Sequence, residues 1–91
     1  MTATATLKDT RIVGFLGHYY AQGRVYNDSR RRFHDGRPIV TSRIVFIHLI
    51  DGRYYLTTEN SIYETAALEL PDELEDAFGS CASISLTRAG F

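Results

Sequence analysis

The sequence predicts one small, mostly β domain: an antiparallel β-meander that forms a small barrel or half-barrel, with one short C-terminal helix. Three observations lead to this prediction. Runs rich in Tyr, Val, Ile and Thr recur through residues 11–64, and such side chains favour strands. Residues that favour turns separate these runs. A helical pattern occurs only at residues 71–79. A length of 91 residues corresponds to a single domain, residues 1–91.

The first half of the chain predicts three strands. Residues 11–16 and 19–26 are rich in β-branched and aromatic side chains and predict the first two. Residues 27–38 are polar and contain turn-forming residues, so they predict a turn and a loop. Residues 39–50 predict a long central strand, whose second half is apolar on both faces. Such a strand is covered on both sides, and in so small a domain we expect a second subunit to provide one cover.

The second half predicts a hairpin, two short strands and a helix. An Asp-Gly pair at residues 51–52 is a two-residue hairpin signal, and residues 53–58 supply the returning strand. Residues 61–64 predict a further short strand. The helix at residues 71–79 has Pro in its first turn, acidic residues at its start and Gly at its end. Residues 82–87 alternate apolar with polar side chains and predict a closing strand.

Composition excludes several classes of protein. The chain is 44% hydrophobic and 23% charged, with a net charge of −1, unlike disordered or low-complexity sequences. Its longest nearly apolar run, residues 44–50, is far shorter than the roughly 20 residues of a membrane-spanning helix. We expect no membrane association, and the absence of a signal-peptide pattern favours the cytoplasm. The single cysteine, Cys81, excludes an internal disulfide and a multi-cysteine metal site.

The residue types used in catalysis and metal binding do not occur at useful spacings. His18, His34 and His48 are 16 and 14 residues apart, and no pair has the short spacing of metal ligands. Cys81 has no histidine near it in the sequence that would activate a thiolate. Glycine-rich phosphate-binding loops and nucleophile elbows are also missing from the sequence. We therefore expect a protein that is not an enzyme and that uses no metal or cofactor.

The most informative segment is basic. Nine of the ten basic residues are arginines, and four of these lie within residues 30–37. Guanidinium groups grip phosphates through paired hydrogen bonds, and an aromatic ring stacks on a nucleotide base. With Phe33 among the arginines, the segment is a candidate site for a phosphorylated nucleotide. A solvated basic loop and a protein-contact patch remain alternative interpretations.

The charges are unevenly distributed along the chain. Residues 1–63 carry nine basic and five acidic side chains, a net charge of +4. Residues 64–91 carry one basic and six acidic side chains, a net charge of −5. Nucleic-acid-binding modules are usually basic overall, whereas this chain has a pI of about 6.3. We therefore expect a local anion site and no bulk binding to nucleic acid.

A set of short elements within residues 23–63 resembles a known family. The elements are Gly23-x-Val25-Tyr26-Asn27-Asp28-Ser29-Arg30, Phe33-x-Asp35-Gly36, Ile39-x-Thr41-Ser42 and Thr58-x-Asn60-Ser61-x-Tyr63. Together they are similar to a signature of the phage-encoded anti-Thoeris sponges. These small β-rich proteins sequester cyclic-ADP-ribose-type signals and, in some members, cyclic oligonucleotides. The matched region covers 41 of the 91 residues.

The resemblance implies a phage counter-defence protein, acting in the cytoplasm of an infected bacterium. It implies a homo-oligomer that binds a small-molecule nucleotide signal and hides it without cleaving it. The candidate ligand-binding residues are Arg30, Phe33, Arg37, Arg43 and Asn60. Two other functions stay open. The acidic residues 64–76 favour a phage inhibitor that binds a host defence protein or a CRISPR effector directly, and the arginine run favours a small-barrel nucleic-acid-binding accessory protein.

Overall fold

A computed structural model describes residues 2–78 and 82–86 of the chain. In these residues it has eight strands and one helix. Their bounds are β1 (Ala5–Phe15), β2 (His18–Tyr26), β3 (Arg37–Val40), β4 (Ile44–Ile50), β5 (Arg53–Thr58), β6 (Ile62–Thr65), β7 (Leu68–Glu69), α1 (Asp72–Phe78) and β8 (Ser83–Ser85). The prediction of a mostly β fold with one short helix is confirmed. Nowhere in the described part of the chain is a helix long and apolar enough to cross a membrane.

All eight strands join one mixed sheet. Its order is β3-β2-β1-β6-β5-β4-β8, with β7 paired to β1 outside this path. The hairpins β1–β2, β4–β5 and β5–β6 are antiparallel, as expected for strands joined by short turns. However, β1 pairs in parallel with β6 and with β7. The predicted purely antiparallel meander is therefore wrong, because the first strand pairs with strands far along the chain.

The sheet curls around its own core without closing, so of the two predicted forms, barrel or half-barrel, the closed barrel is wrong. Although three strands separate β2 from β4 in the sheet, the curl brings them into contact. Thr41 N, just after β3, donates to the carbonyl oxygen of Ala21 in β2 over 2.9 Å. The largest fully buried apolar side chains on the inner face are Leu7, Val25, Ile44, Ile47 and Leu56. Helix α1 adds the buried Leu74 to this core.

The predicted long strand at residues 39–50 is interrupted, and its two parts are β3 and β4. The break lies at Thr41, which keeps one backbone hydrogen bond to β2 but uses its side chain as the acceptor for the other. Its Oγ1 accepts from Ala21 N over 3.1 Å and donates to Ser42 O over 2.8 Å. The described residues do not cover both faces of β4, since Phe46 and Ile50 are 39% and 41% exposed.

Local turn and helix signals give more accurate predictions. Asp51 and Gly52 have φ values of 51° and 79° and form the predicted hairpin turn between β4 and β5. Strand β5 has the predicted bounds, and α1 lies within the predicted residues 71–79. The predicted closing strand is shorter, at Ser83–Ser85. Cys81 and the ends predicted for the helix and this strand, Gly79 and Thr87, lie outside the described residues.

Candidate functional site

Residues 27–37, here named the arginine loop, run from the end of β2 to Arg37, the first residue of β3, and are fixed by a buried carboxylate. The Asp28 side chain is 1% exposed. Its Oδ1 accepts from Arg30 N over 3.3 Å and from Arg32 Nη2 over 3.1 Å. Its Oδ2 accepts from Arg32 N over 2.7 Å and from Arg32 Nε over 3.1 Å. One carboxylate thus determines the path of the backbone and the position of one guanidinium.

The paired charges of Asp28 and Arg32 stabilise each other. Burial raises the pKa of the Asp28 carboxyl, but the hydrogen bonds from the Arg32 side chain and from the backbone outweigh burial and leave this pKa below its ordinary value. The hydrogen bond to Asp28 likewise raises the pKa of Arg32. Both groups are therefore charged at neutral pH, and the Arg32 guanidinium is committed to the structure of the loop.

Two arginines attach the loop to the turn between β5 and β6. Arg30 Nη1 donates to the carbonyl oxygen of Asn60 over 2.7 Å. Arg30 Nη1 and Arg32 Nη1 both donate to Ser61 Oγ, over 3.4 Å and 3.0 Å. Asn60 thus contributes its backbone oxygen to this contact. The structure brings together Arg30 and Asn60, two of the residues predicted from the sequence.

Phe33 is half-buried, and its ring packs against the core and against arginine side chains. The Arg32 Cζ lies 5.1 Å from the ring centroid and the Arg37 Cζ lies 5.9 Å from it. Both distances are in the range of cation–π contacts. Because guanidinium groups already lie against Phe33, this ring is a support for the arginines more than an open stacking surface.

Arg43 lies at the other side of the β5–β6 turn. Its Nη2 is 3.4 Å from Glu59 Oε2, and its carbonyl oxygen accepts from Glu59 N over 3.0 Å. The Arg43 Nε is buried and has no hydrogen-bond partner within the described residues. The five predicted residues therefore form two groups. Arg30 and Arg43 both contact the β5–β6 turn, which contains Asn60, and Arg37 lies against Phe33. Arg32 joins them because it contacts both Ser61 and Phe33.

Beside the loop is an open cleft of about 480 Å³, whose lining includes Arg31, Phe33 and His34 together with the acidic residues Asp28 and Asp35. This volume is within the range of small-molecule sites. Arg31 is exposed, with a φ of 56°. Within the described residues, neither Arg31 nor Arg37 forms an ion pair, whereas Asp28 neutralises Arg32 and Glu59 faces Arg43. With four arginines and two aspartates, the arginine loop carries a net charge of +2 next to this cavity.

A larger groove lies elsewhere, at the bulge of β1, and its charges are arranged differently. It measures about 690 Å³ and is lined by Asp9, Arg11 and Glu69 among others. Arg11 Nε is 3.5 Å from Glu69 Oε1, and Arg24 Nε, at the edge of an adjoining groove, is 4.0 Å from Asp9 Oδ2. Since charges of both signs are paired here, the groove has no preference for an anion.

Sequence reasoning missed the roles of Asp28 and Arg32, although Asp28 is in a quoted motif and Arg32 is in the arginine-rich segment. Their spacing of four residues, with the carboxylate two residues after the end of β2, is the available signal for a side-chain cap of the loop. Among the described residues, no group of three or more His, Cys, Asp or Glu side chains is placed to hold a metal ion. The lone Cys81 lies outside that part of the chain.

No family model, curated protein or solved structure matches this chain. Function is therefore inferred from the geometry of the arginine loop together with the sequence resemblance.

Proposed function

We propose that the chain binds an anionic, nucleotide-type signalling molecule at the arginine loop and sequesters it without cleaving it, as a phage counter-defence protein. One observation carries the proposal: Arg31 lines a cleft of about 480 Å³, Arg37 lies against Phe33 in the wall of that cleft, and neither forms an ion pair within the described residues, on a loop that Asp28 holds in place. The resemblance of residues 23–63 to the anti-Thoeris sponges supports the same class of ligand.

The fixed loop supports tight binding. Arg guanidinium groups recognise phosphate through paired, charge-assisted hydrogen bonds. Asp28 accepts four hydrogen bonds within the loop, so little backbone freedom remains to be lost when a ligand binds. Sequestration requires a preformed site that is complementary to the ligand, and it requires no acid–base catalysis.

Binding is tested by a thermal-shift panel of ADP-ribose isomers, cyclic di- and trinucleotides, cyclic mononucleotides and a short single-stranded oligonucleotide. A ligand at about 100 times its Kd stabilises the folded state by roughly 2.7 kcal/mol. In a domain of this size, that raises the Tm by about 10 °C or more. We expect one nucleotide to do so. The variants Arg31→Ala and Arg37→Ala should each weaken its binding about tenfold or more, since a charge-assisted hydrogen bond contributes roughly 1.5–3 kcal/mol.

Arg53→Ala is the matched control. It also removes one arginine, but Arg53 lies on β5 and its Nε donates to Glu64 Oε2 over 2.9 Å, away from the loop. The Arg53→Ala variant should bind the nucleotide with the same affinity as the parent chain. The proposal fails if no compound gives a selective shift, or if Arg53→Ala weakens binding as much as the loop variants do. Preference for the oligonucleotide, with affinity falling steeply as salt rises, would instead indicate a nucleic-acid-binding module.

The proposal includes a homo-oligomer in which a second copy covers the outer face of β4. Phe46 and Ile50 are exposed there, and the Phe46 ring stacks on His48 with a centroid distance of 5.8 Å. Light scattering should give the mass of more than one chain for the parent and of a single chain for the double variant Phe46→Ser, Ile50→Ser. Val40→Ser, at an exposed apolar position on β3, is the control and should keep the parent's mass. A monomeric parent would contradict this part of the proposal.

A further inference from the structure

The β1–β2 hairpin extends beyond the strands that flank it. The pairing of β2 with β3 ends at Gln22, and the hydrogen bonds of Thr41 extend this contact to Ala21. The pairing of β1 with β7 ends at Arg11. The two hairpin strands continue to pair with each other as far as Phe15 and His18. The end of the hairpin is therefore a two-stranded arm at one end of the sheet.

The tip of this arm is apolar and open to solvent. Leu16 is 82% exposed and Phe15 is 64% exposed, the highest values among the large hydrophobic residues of the described chain. Adjacent exposed apolar residues on a projecting element are typical of a contact surface. Below them, the buried Nδ1 of His18 has no hydrogen-bond partner within the described residues.

A second hairpin in the same chain shows that the turn itself does not require leucine. The β4–β5 turn has Asp51 and Gly52 at φ values of 51° and 79°, and the β1–β2 turn has Leu16 and Gly17 at 52° and 81°. In this conformation Asn, Asp and Gly are favoured and an aliphatic side chain is disfavoured. Leu16 is therefore unfavourable in two ways: its backbone has a positive φ that aliphatic residues disfavour, and its apolar side chain is exposed to solvent. A disfavoured conformation kept at an exposed site indicates a function for the side chain.

The surroundings of the tip are acidic. The Tyr19 hydroxyl donates to Glu73 Oε2 of α1 over 3.0 Å, and Glu73 lines a cleft of about 360 Å³ together with Phe15 and Leu16. The other carboxylates of the helix, Asp72, Glu75 and Asp76, are exposed. Among the described residues, none of the four helix carboxylates forms an ion pair, so α1 presents net negative charge beside the apolar tip.

We propose that the tip of the β1–β2 hairpin inserts Phe15 and Leu16 into an apolar pocket of a partner protein whose rim is basic and meets the carboxylates of α1. A protruding apolar tip is complementary to a concave pocket, and the acidic flank selects a positively charged rim. The same negative charge opposes an anionic membrane surface. This surface is separate from the arginine loop, so the inference stands independently of nucleotide binding.

The test uses a random dodecapeptide display library selected on the immobilised full chain and counter-selected on the Leu16→Asn variant. Asn suits the turn conformation, so this variant should keep or raise the parent's Tm while it loses the apolar tip. We expect peptides specific to the parent to combine aromatic or aliphatic residues with Lys or Arg. Synthesised copies should bind Leu16→Asn about tenfold or more weakly, which is the effect of removing one buried leucine side chain.

Charge is tested with the same peptides. Glu73→Gln keeps an acceptor for the Tyr19 hydroxyl, removes one negative charge and should weaken peptide binding severalfold at low salt. Asp51→Asn is the matched control, because it removes one charge at the tip of the other hairpin, and it should bind as the parent does. No parent-specific peptides, peptides without basic residues, or equal effects of Glu73→Gln and Asp51→Asn would each overturn the proposal. Self-association of the parent that Leu16→Asn abolishes would also overturn it, since the occupant would then be a second copy.

Discussion

The variant Asp28→Asn is expected to unfold with a free energy about 2–4 kcal/mol lower than that of the parent chain. The neutral amide has one oxygen and one NH2 group, so it cannot accept all four hydrogen bonds that the carboxylate receives. It also leaves the partly buried Arg32 guanidinium, whose side chain is 29% exposed, without its counter-charge. In a domain of this size the Tm should fall by about 10–25 °C, measured by circular dichroism at pH 7.

Asp35→Asn is the matched control for this effect. Asp35 belongs to the same loop, but it is exposed and accepts one hydrogen bond, from Asn27 N over 2.8 Å. The amide oxygen of asparagine keeps that acceptor, so the Tm should change by only a few degrees. Equal losses in the two variants would contradict the role assigned to the buried carboxylate.

The loss caused by Asp28→Asn should also depend on pH. The pKa of Asp28 is lower in the folded chain than in the unfolded chain, so ionisation of this group stabilises the folded state fully above the unfolded pKa of about 3.9. As the pH falls below about 4 and through the lower folded pKa, this stabilisation is lost. Asparagine does not titrate, so the stability gap between parent and variant should narrow between neutral pH and pH 3. A gap that stays constant would contradict the sign of the pKa shift.

Leu56→Ala is expected to have an effect of similar size through the core. Leu56 is fully buried on β5, between β4 and β6, and faces the inside of the curled sheet. Removing a buried leucine side chain costs about 2–5 kcal/mol through lost burial and the remaining cavity. Urea unfolding should show a lower midpoint with an unchanged slope, since the surface exposed on unfolding is nearly the same.

The neighbouring residue on β5 provides the control. Thr57 points to the other face of the sheet and is half-buried, and Thr57→Ala should change the free energy of unfolding by less than about 1 kcal/mol. A larger loss for Thr57→Ala than for Leu56→Ala would place the core on the opposite face of the sheet and contradict the fold described above.

Local backbone chemistry accounts for most of what could be predicted about the fold. The Asp51–Gly52 turn requires residues that accept positive φ, and these two supply them. Pro, early acidic residues and a shared apolar face predict α1 for similarly local reasons. Pairing between distant strands has no such signal. The parallel ladder of β1 with β6, at Ala5–Tyr63 and Thr6–Glu64, depends on the packing of the whole sheet.

For the candidate site as well, the sequence predicts local features and not the contacts between distant residues. An arginine-rich segment is visible in composition, and Arg30 and Asn60 do meet in the structure. Residue types alone do not predict which arginines lack an ion-pair partner, because ion pairing depends on where the carboxylates lie in the fold. Asp28 forms an ion pair with Arg32, whereas Arg31 and Arg37 form no ion pair within the described residues. Composition predicts the total charge of a loop, whereas the fold determines which of its charged side chains have no ion-pair partner.

The most direct test of the arginine loop as the ligand site is an amide chemical-shift titration of the 15N-labelled chain with the panel compound that gives the largest thermal shift. The sequestration proposal predicts that perturbed amides concentrate in residues 28–37 and 59–61, with saturation at one ligand per site. Arg53→Ala should give the same pattern, and the double variant Arg31→Ala, Arg37→Ala should need far more ligand to reach it. Perturbations centred on the groove around Asp9 and Arg11, or no saturable change, would contradict the proposal.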